Sequence, residues 1–212
     1  MERYLNMVYA AFDLGNVILD VDFTKFTQQL SYIDLDNSDN SYTLNFLQKQ
    51  EDLNISIRDC FSYTFKVFKP NIEMLEKTWN ESVSLNDSIW KFINNLQDEG
   101  VEIAFLSNIG PTHTKYLKEK YPELFNKTIP HLSFEVGARK PSKLFFQSFL
   151  LDREEFLGSI YVDDLEENLK AGKKYGFTSF NFSLDKWKNL SQSNQKKELD
   201  CLKSYIFNRT II

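Results

Sequence analysis

Asp13 closes a short apolar run, Val8 to Phe12, and Gly15 follows two residues later. A carboxylate at the end of a buried strand can act as a nucleophile, hold a metal, or merely start a turn. Three further islands bear on that choice. Ser107-Asn108 follows the run Val101–Leu106. A hydroxyl beside backbone N–H groups at a strand-to-helix turn suits phosphate oxygens, and it equally suits a helix cap. Gly137-Ala138-Arg139-Lys140-Pro141 is a glycine turn that delivers a lysine, with a proline able to open the next helix. Alone, Lys140 reads as a solvated surface lysine. Ile160-Tyr161-Val162 ends in Asp163-Asp164 and leads to Asn168. Two carboxylates about 4 Å apart repel by roughly 4 kcal/mol at an effective dielectric of about 20. Such a pair calls for a cation, unless one Asp caps a helix and the other is solvated.

The elements that must position these groups follow from periodicity. Val8 to Phe12, Val101–Leu106, Ile160–Val162 and Phe177–Phe182 read as strands. A helix is predicted from Asn86–Ser88 to Gly100, with Ile89, Phe92, Ile93 and Leu96 on one face, and another from Leu165 to Tyr175, stopped by Gly176. Alternating strands and helices imply a mainly parallel sheet covered on both faces. Ligands bind such sheets beyond the carboxyl ends of the strands, where the reactive islands fall. Residues from about Phe23 to Ser84 break the rhythm. They lack glycine, are rich in Phe, Leu and Tyr, and carry amphipathic stretches at Phe61–Phe68 and Ile72–Trp79. They read as a helical insertion overhanging the strand ends, or as an ordinary packed helical layer. The polar tail from Asp185 to Lys197 reads as a loosely packed helix.

A chain of 212 residues is long enough for one large domain, or for a core with a smaller inserted unit. The net charge is −5 and no basic cluster stands out, which argues against nucleic acid. No apolar stretch is long enough to span a bilayer, and the first residues lack the pattern of a signal peptide. Cys60 and Cys201 have no metal-type spacing, so free thiols in a reducing compartment are the simplest reading, with one disulfide left open. A soluble cytoplasmic protein is expected, without nucleic-acid or membrane partners, as a monomer or small homo-oligomer.

The four islands, in the order Asp, Ser, Lys, Asp-Asp, resemble the haloacid dehalogenase (HAD) superfamily of phosphoaspartate-forming hydrolases. Phe12-Asp13-Leu14-Gly15-Asn16-Val17-Ile18 looks like the first motif of that family and Leu106-Ser107-Asn108 like the second. Arg139-Lys140-Pro141 with Phe145-Phe146 looks like the third, and Asp163-Asp164 with Asn168 and Gly176 like the fourth. The inserted segment is similar to the family's helical cap. Within it Glu51, Ile55-Ser56 and Trp79-Asn80 resemble the subgroup of sugar-1-phosphate phosphatases, which often carries a glycine where this chain has Leu53.

The resemblance implies an α/β fold: a Rossmann-like parallel sheet flanked by helices, with an inserted helical-bundle cap. The core would comprise residues 1–22 and 85–212, and the cap residues 23–84. It implies a Mg²⁺-dependent phosphatase of a small phosphorylated metabolite, such as a sugar 1-phosphate. Asp13 would be the nucleophile. Asp13, the Gly15 carbonyl and Asp164 would hold Mg²⁺, with Asp163 a second ligand or a partner behind the ligands. Ser107 and the Asn108 N–H would grip the phosphoryl oxygens, Lys140 would neutralise both nucleophile and phosphoryl group, and Asn168 would orient its loop.

One departure matters. Many phosphatases of the family carry a second Asp, a general acid, where this chain has Gly15. The implied substrate therefore has a good leaving group, or another residue donates the proton. His113, Asp20 and Asp22 are the candidates. Gly15 also leaves open a member that binds a phosphorylated ligand without turning it over. A 2-haloacid dehalogenase is a further alternative; it needs no metal, so Asp163-Asp164 argues against it.

Overall fold

The computed structural model describes residues 7–32, 40–64 and 69–208. Five strands form one parallel sheet: β1 (Val8–Phe12), β4 (Val101–Ser107), β5 (Ile129–Leu132), β6 (Ile160–Asp163) and β7 (Thr178–Asn181), in the order β5-β4-β1-β6-β7. Two short strands, β2 (Leu19–Val21) and β3 (Val83–Leu85), form a separate antiparallel ribbon. The architecture is the expected Rossmann-like sheet flanked by helices.

β1 lies at the centre, paired with β4 on one side (Ala11 opposite Ala104) and β6 on the other (Ala11 opposite Tyr161). A strand enclosed on both faces must be apolar throughout, which is why it reads as a continuous run. Alternate residues feed opposite faces. Ala10 and Phe12 join Ile103, Phe105 and Val162 in one apolar cluster, while Ala11 joins Ala104, Phe145, Phe146 and Tyr161 in the other. Burying one such phenylalanine is worth about 1.5–3 kcal/mol. The helix Asp87–Asp98 starts where expected: the Asn86 side chain accepts from the Ile89 N–H, and Ile89, Trp90, Ile93 and Leu96 are buried. The helix Glu166–Lys174 and strand β7 fall within the expected segments.

Two expectations need correction, and two features were not foreseen. Pro141 does not open the next helix; Ser142 caps Lys143–Asp152 by accepting from the Phe145 N–H, so Pro141 precedes the cap. The tail from Asp185 to Lys197 is not one helix but spans parts of two, and Trp187 is its buried residue. The two helices, Leu184–Lys188 and Gln192–Asn208, bury Leu184, Trp187, Leu202 and Ile206 in the core. The strand β5 and the β2–β3 ribbon were not expected at all. The thiols of Cys60 (buried) and Cys201 (exposed) are both free, so the open question of a disulfide is closed.

The chain leaves the sheet through β2 and returns through β3, side by side: Leu19 faces Leu85, Val21 faces Val83, and the Asp22 N–H donates to the Ser82 carbonyl at 2.8 Å. Between them lie the helices Thr24–Leu30, Asn40–Glu51, Ile57–Asp59 and Lys69–Asn80, with a π-helical turn at Cys60–Thr64. Phe26, Leu30, Leu47, Phe61, Leu75 and Trp79 form a third apolar cluster of their own. The amphipathic stretch Ile72–Trp79 lies within Lys69–Asn80. Of the stretch Phe61–Phe68, residues 65–68 lie outside the described residues, as does the side chain of Glu51. No helix among the described residues is long and apolar enough to cross a membrane.

Candidate active site

Asp13 is the first residue past β1, and its N–H still donates to Val162 on β6 at 2.8 Å. That bond pins the residue between two strands. Its Oδ1 accepts from the Leu14 N–H at 2.7 Å and from the Lys140 ammonium at 2.8 Å. The same ammonium donates to Asp163 Oδ2 at 2.8 Å. Lys140 is 4 % exposed, so this is a buried cation held between two carboxylates.

Lys140 arrives from a loop rather than a strand. The helix Ser133–Val136 ends at Gly137, whose φ of +70° is a left-handed conformation that a side chain would strain. The loop is then fastened by Asn108. Its Oδ1 accepts from the Lys140 N–H at 2.8 Å, and its Nδ2 donates to the Lys140 carbonyl at 3.1 Å.

Asp163, fully buried, accepts from four donors: Lys140, the Leu165 N–H, the Asn168 amide and the Tyr161 hydroxyl. Burial pushes its carboxyl toward the neutral form, but Lys140 and these hydrogen bonds outweigh that and hold its pKa below the usual value. Tyr161 sits two residues earlier on the same face of β6. Burial and the Asp163 carboxylate keep its phenol well above the ordinary pKa, so it remains a donor. Gly172 leaves room for that ring, since a Cβ there would lie 2.7 Å from Tyr161 Cδ1.

Asp13 behaves differently. Burial dominates, and with help from Asp163 and Asp164 it lifts the pKa to about 7 in spite of Lys140. Asp164 is raised as well, first by burial and then by Asp163. Burial pushes the Lys140 ammonium toward neutrality, yet Asp13 and Asp163 together hold its pKa above that of ordinary lysine. Carboxylate oxygens of Asp13, Asp163 and Asp164 lie within 4.8 Å of one another. An all-oxygen set with unfavourable negative charge fits a hard divalent cation such as Mg²⁺.

A cavity of about 260 Å³ opens here, lined by Asp13, Gly15, Ser107, Asn108, Lys140, Asp164 and Asn168 among others. The structure thus brings together nine expected site residues: these seven, Asp163 behind them, and His113 on the wall. His113 does not present its Nε2 proton to the cavity. That nitrogen donates to the Trp79 carbonyl at 2.7 Å, and the ring stacks on Trp79. Asp20 and Asp22 are not among the lining residues. Asp20 accepts from Asn86 and Lys188, and Asp22 accepts from the Thr24 N–H at the start of a helix. Neither is placed to supply the missing proton.

Four participants were not singled out from sequence. Tyr161 was legible in principle, since residues two apart on a strand share a face. Arg139 carried no assigned role, yet its Nε donates to Asp52 Oδ2 at 2.7 Å, and both residues line the cavity with Gln48. No local signal links positions 87 residues apart.

No family model matches the chain. Solved structures do resemble it. A HAD-family enzyme from Bacteroides thetaiotaomicron, in complex with magnesium and inorganic phosphate, superposes with a TM-score of 0.72 at 17% identity, over 89% of this chain and 98% of the other. The magnesium complex of the same enzyme gives 0.73 at 16% identity, over 91% and 99%. A HAD-superfamily hydrolase from Ehrlichia chaffeensis gives 0.54 at 18% identity, over 94% and 98%. The fold is that of the HAD enzymes.

Proposed function

We propose that this chain is a HAD-family phosphatase. It hydrolyses a small phosphorylated metabolite, such as a sugar 1-phosphate, with Mg²⁺ and through a phosphoaspartate. The observation that carries this reading is the Lys140 ammonium, 2.8 Å from both Asp13 and Asp163, beside Asp164 at the strand ends. A nucleophilic anion approaches a phosphate anion only where cations offset the repulsion.

Both polar contacts of Asp13 described above fall on Oδ1, so Oδ2 is the oxygen assigned to attack phosphorus. Leu14 N–H and Lys140 hold the carboxylate in orientation. The Ser107 hydroxyl, the Asn108 N–H and Lys140 bind the phosphoryl oxygens. Asp163, saturated by four donors, keeps Lys140 charged and in place; it stands behind the metal ligands. Asp13, Asp164 and the Gly15 carbonyl would hold Mg²⁺, which supplies a Lewis acid for the phosphoryl oxygens. Water then releases phosphate and regenerates the Asp13 carboxylate. Residues 23–84 serve as the cap, with the core in 1–22 and 85–212, and the protein acts in the cytoplasm.

Gly15 favours a second reading, a protein that binds a phosphorylated ligand without turning it over. One experiment separates the two: inorganic phosphate release from a phosphomonoester panel, with Mg²⁺, by wild type and Asp13→Asn. Release by wild type alone supports the phosphatase. Equal release by both proteins overturns it. Halide release from 2-haloacids without metal points instead to the dehalogenase.

A further inference from the structure

We infer that Arg139 and Asp52 form the element that selects the leaving group, and that this group is uncharged and hydroxylated. The inference rests on the phosphatase reading and specifies its substrate class.

The observation is a polar contact across the cavity. Arg139 stands next to Lys140, on the loop fastened by Asn108. Asp52 follows directly on the inserted helix Asn40–Glu51. Arg139 Nε donates to Asp52 Oδ2 at 2.7 Å, and both side chains, with the half-buried Gln48, line the same cavity as Asp13. The Asp52 side chain is 10% exposed and that of Arg139 31%. An exposed ion pair of this kind contributes little. This pair lines a cavity and is more desolvated than an exposed one, so its polar atoms are presented to a ligand there at a desolvation cost already met.

Charge decides what that partner is. Among the described residues, the charged ones lining the cavity are Asp13, Asp52, Asp164, Lys140 and Arg139. The phosphoryl end takes Asp13, Asp164 and Lys140, together with the divalent cation. Asp52 compensates Arg139 at the other end. Among the described lining residues a second anionic group on the substrate would find no uncompensated cation, and a cationic one would meet Arg139. A hydroxyl suits the pair, because it accepts from a guanidinium N–H while donating to a carboxylate. Gln48 adds a further donor and acceptor. Phe23 and Val83 line the cavity as well and give it an apolar wall. A neutral body with hydroxyls on one side and C–H groups on the other matches those surfaces.

The volume of about 260 Å³ sets the scale. It falls below the range of roughly 300–1,000 Å³ typical of drug-sized ligands. A phosphoryl group with a small polyol or sugar is the size expected.

The experiment compares three phosphomonoesters: a hexose 1-phosphate, a carboxylate-bearing phosphomonoester and p-nitrophenyl phosphate. Each is assayed with wild type, Asp52→Asn and Arg139→Gln, the fold of each variant being checked by circular dichroism and thermal unfolding. The quantity read is the ratio of kcat/KM for the hexose ester to that for the aryl ester. Losing a charge-assisted hydrogen bond should lower this ratio by about 10- to 100-fold. An unchanged ratio in two folded variants overturns the inference, as does a wild-type preference for the carboxylate ester. The same ligands are also titrated against Asp13→Asn and its Asp52→Asn double variant. That titration reads selection without turnover. Selective binding of the hexose ester, lost in the double variant, supports the inference even if wild type releases no phosphate, an outcome that overturns the phosphatase reading alone.

Discussion

Asn108 grips Lys140 by both of its main-chain polar groups, accepting from the N–H at 2.8 Å and donating to the carbonyl at 3.1 Å. From sequence, the backbone N–H of Asn108 is the group expected to act, as a phosphoryl donor. Its side chain is also a strut between the loop that follows β4 and the loop that follows the helix Ser133–Val136. Asn108→Ala removes both bonds and leaves two polar groups in a half-buried setting. It should cost about 1–3 kcal/mol of stability. Urea denaturation provides the measurement, and unchanged stability contradicts the strut.

Lys140→Met leaves Asp13 and Asp163 without their shared cation. Removing one partner of a buried ion pair costs about 3–5 kcal/mol, because the remaining charge is stranded. The same technique at neutral pH gives the answer. A loss below about 1 kcal/mol, the range of an exposed pair, is incompatible with the burial described.

Mg²⁺ should stabilise the protein before any substrate is added. At a free concentration about a hundred times Kd the gain is about 2.7 kcal/mol. Asp164→Asn should abolish most of that gain, and a chelator should reverse it in wild type. Thermal unfolding with and without Mg²⁺ reports it. A shift of the same size in Asp164→Asn assigns the ion elsewhere.

Gly15→Asp should introduce the absent proton donor. A Cβ at position 15 would meet only an ordinary contact, Val21 Cγ2 at 3.7 Å, so the side chain has room to start. Turnover of alkyl phosphates should rise by about 10²-fold or more, with a smaller gain for aryl phosphates, whose leaving group needs no protonation. Equal effects on both count against a proton-transfer limit.

His131 makes stability depend on pH. Burial is the main cause that lowers its pKa, although its Nε2 donates to the Phe145 carbonyl at 2.9 Å. The unfolded chain therefore binds a proton more readily than the folded one. The contribution is full above the ordinary histidine value of about 6.5 and is lost as pH falls through the folded-state pKa. His131→Gln should lose less stability than wild type on acidification below that value. Parallel denaturation curves at several pH values provide the comparison, and identical slopes exclude His131 as the source.

The strand ends were legible because buried parallel strands are continuous apolar runs, and reactive residues at their ends interrupt them. That is why Asp13, Ser107 and Asp163 could be located before any geometry. β5 escaped notice because its sequence, Ile-Pro-His-Leu, contains a proline. Proline cannot donate to a ladder and is confined to edges, and β5 is an edge of the sheet. β2 and β3 have only three residues each, too few for alternation to register. The last helix runs past the polar, exposed stretch up to Lys197 to residues that anchor it, the buried Leu202 and Ile206. Arg139 and Asp52 meet only through the tertiary fold, so neither pairing nor role could be read locally.

The ribbon in which Leu19 faces Leu85 and Val21 faces Val83 has an architectural consequence. Exit and re-entry points are neighbours, so the chain leaves and rejoins the sheet at one place, while Arg139–Asp52 and His113–Trp79 tie the excursion down elsewhere. Length can thus be gained or lost between Val21 and Val83 without moving the point at which the chain rejoins the sheet.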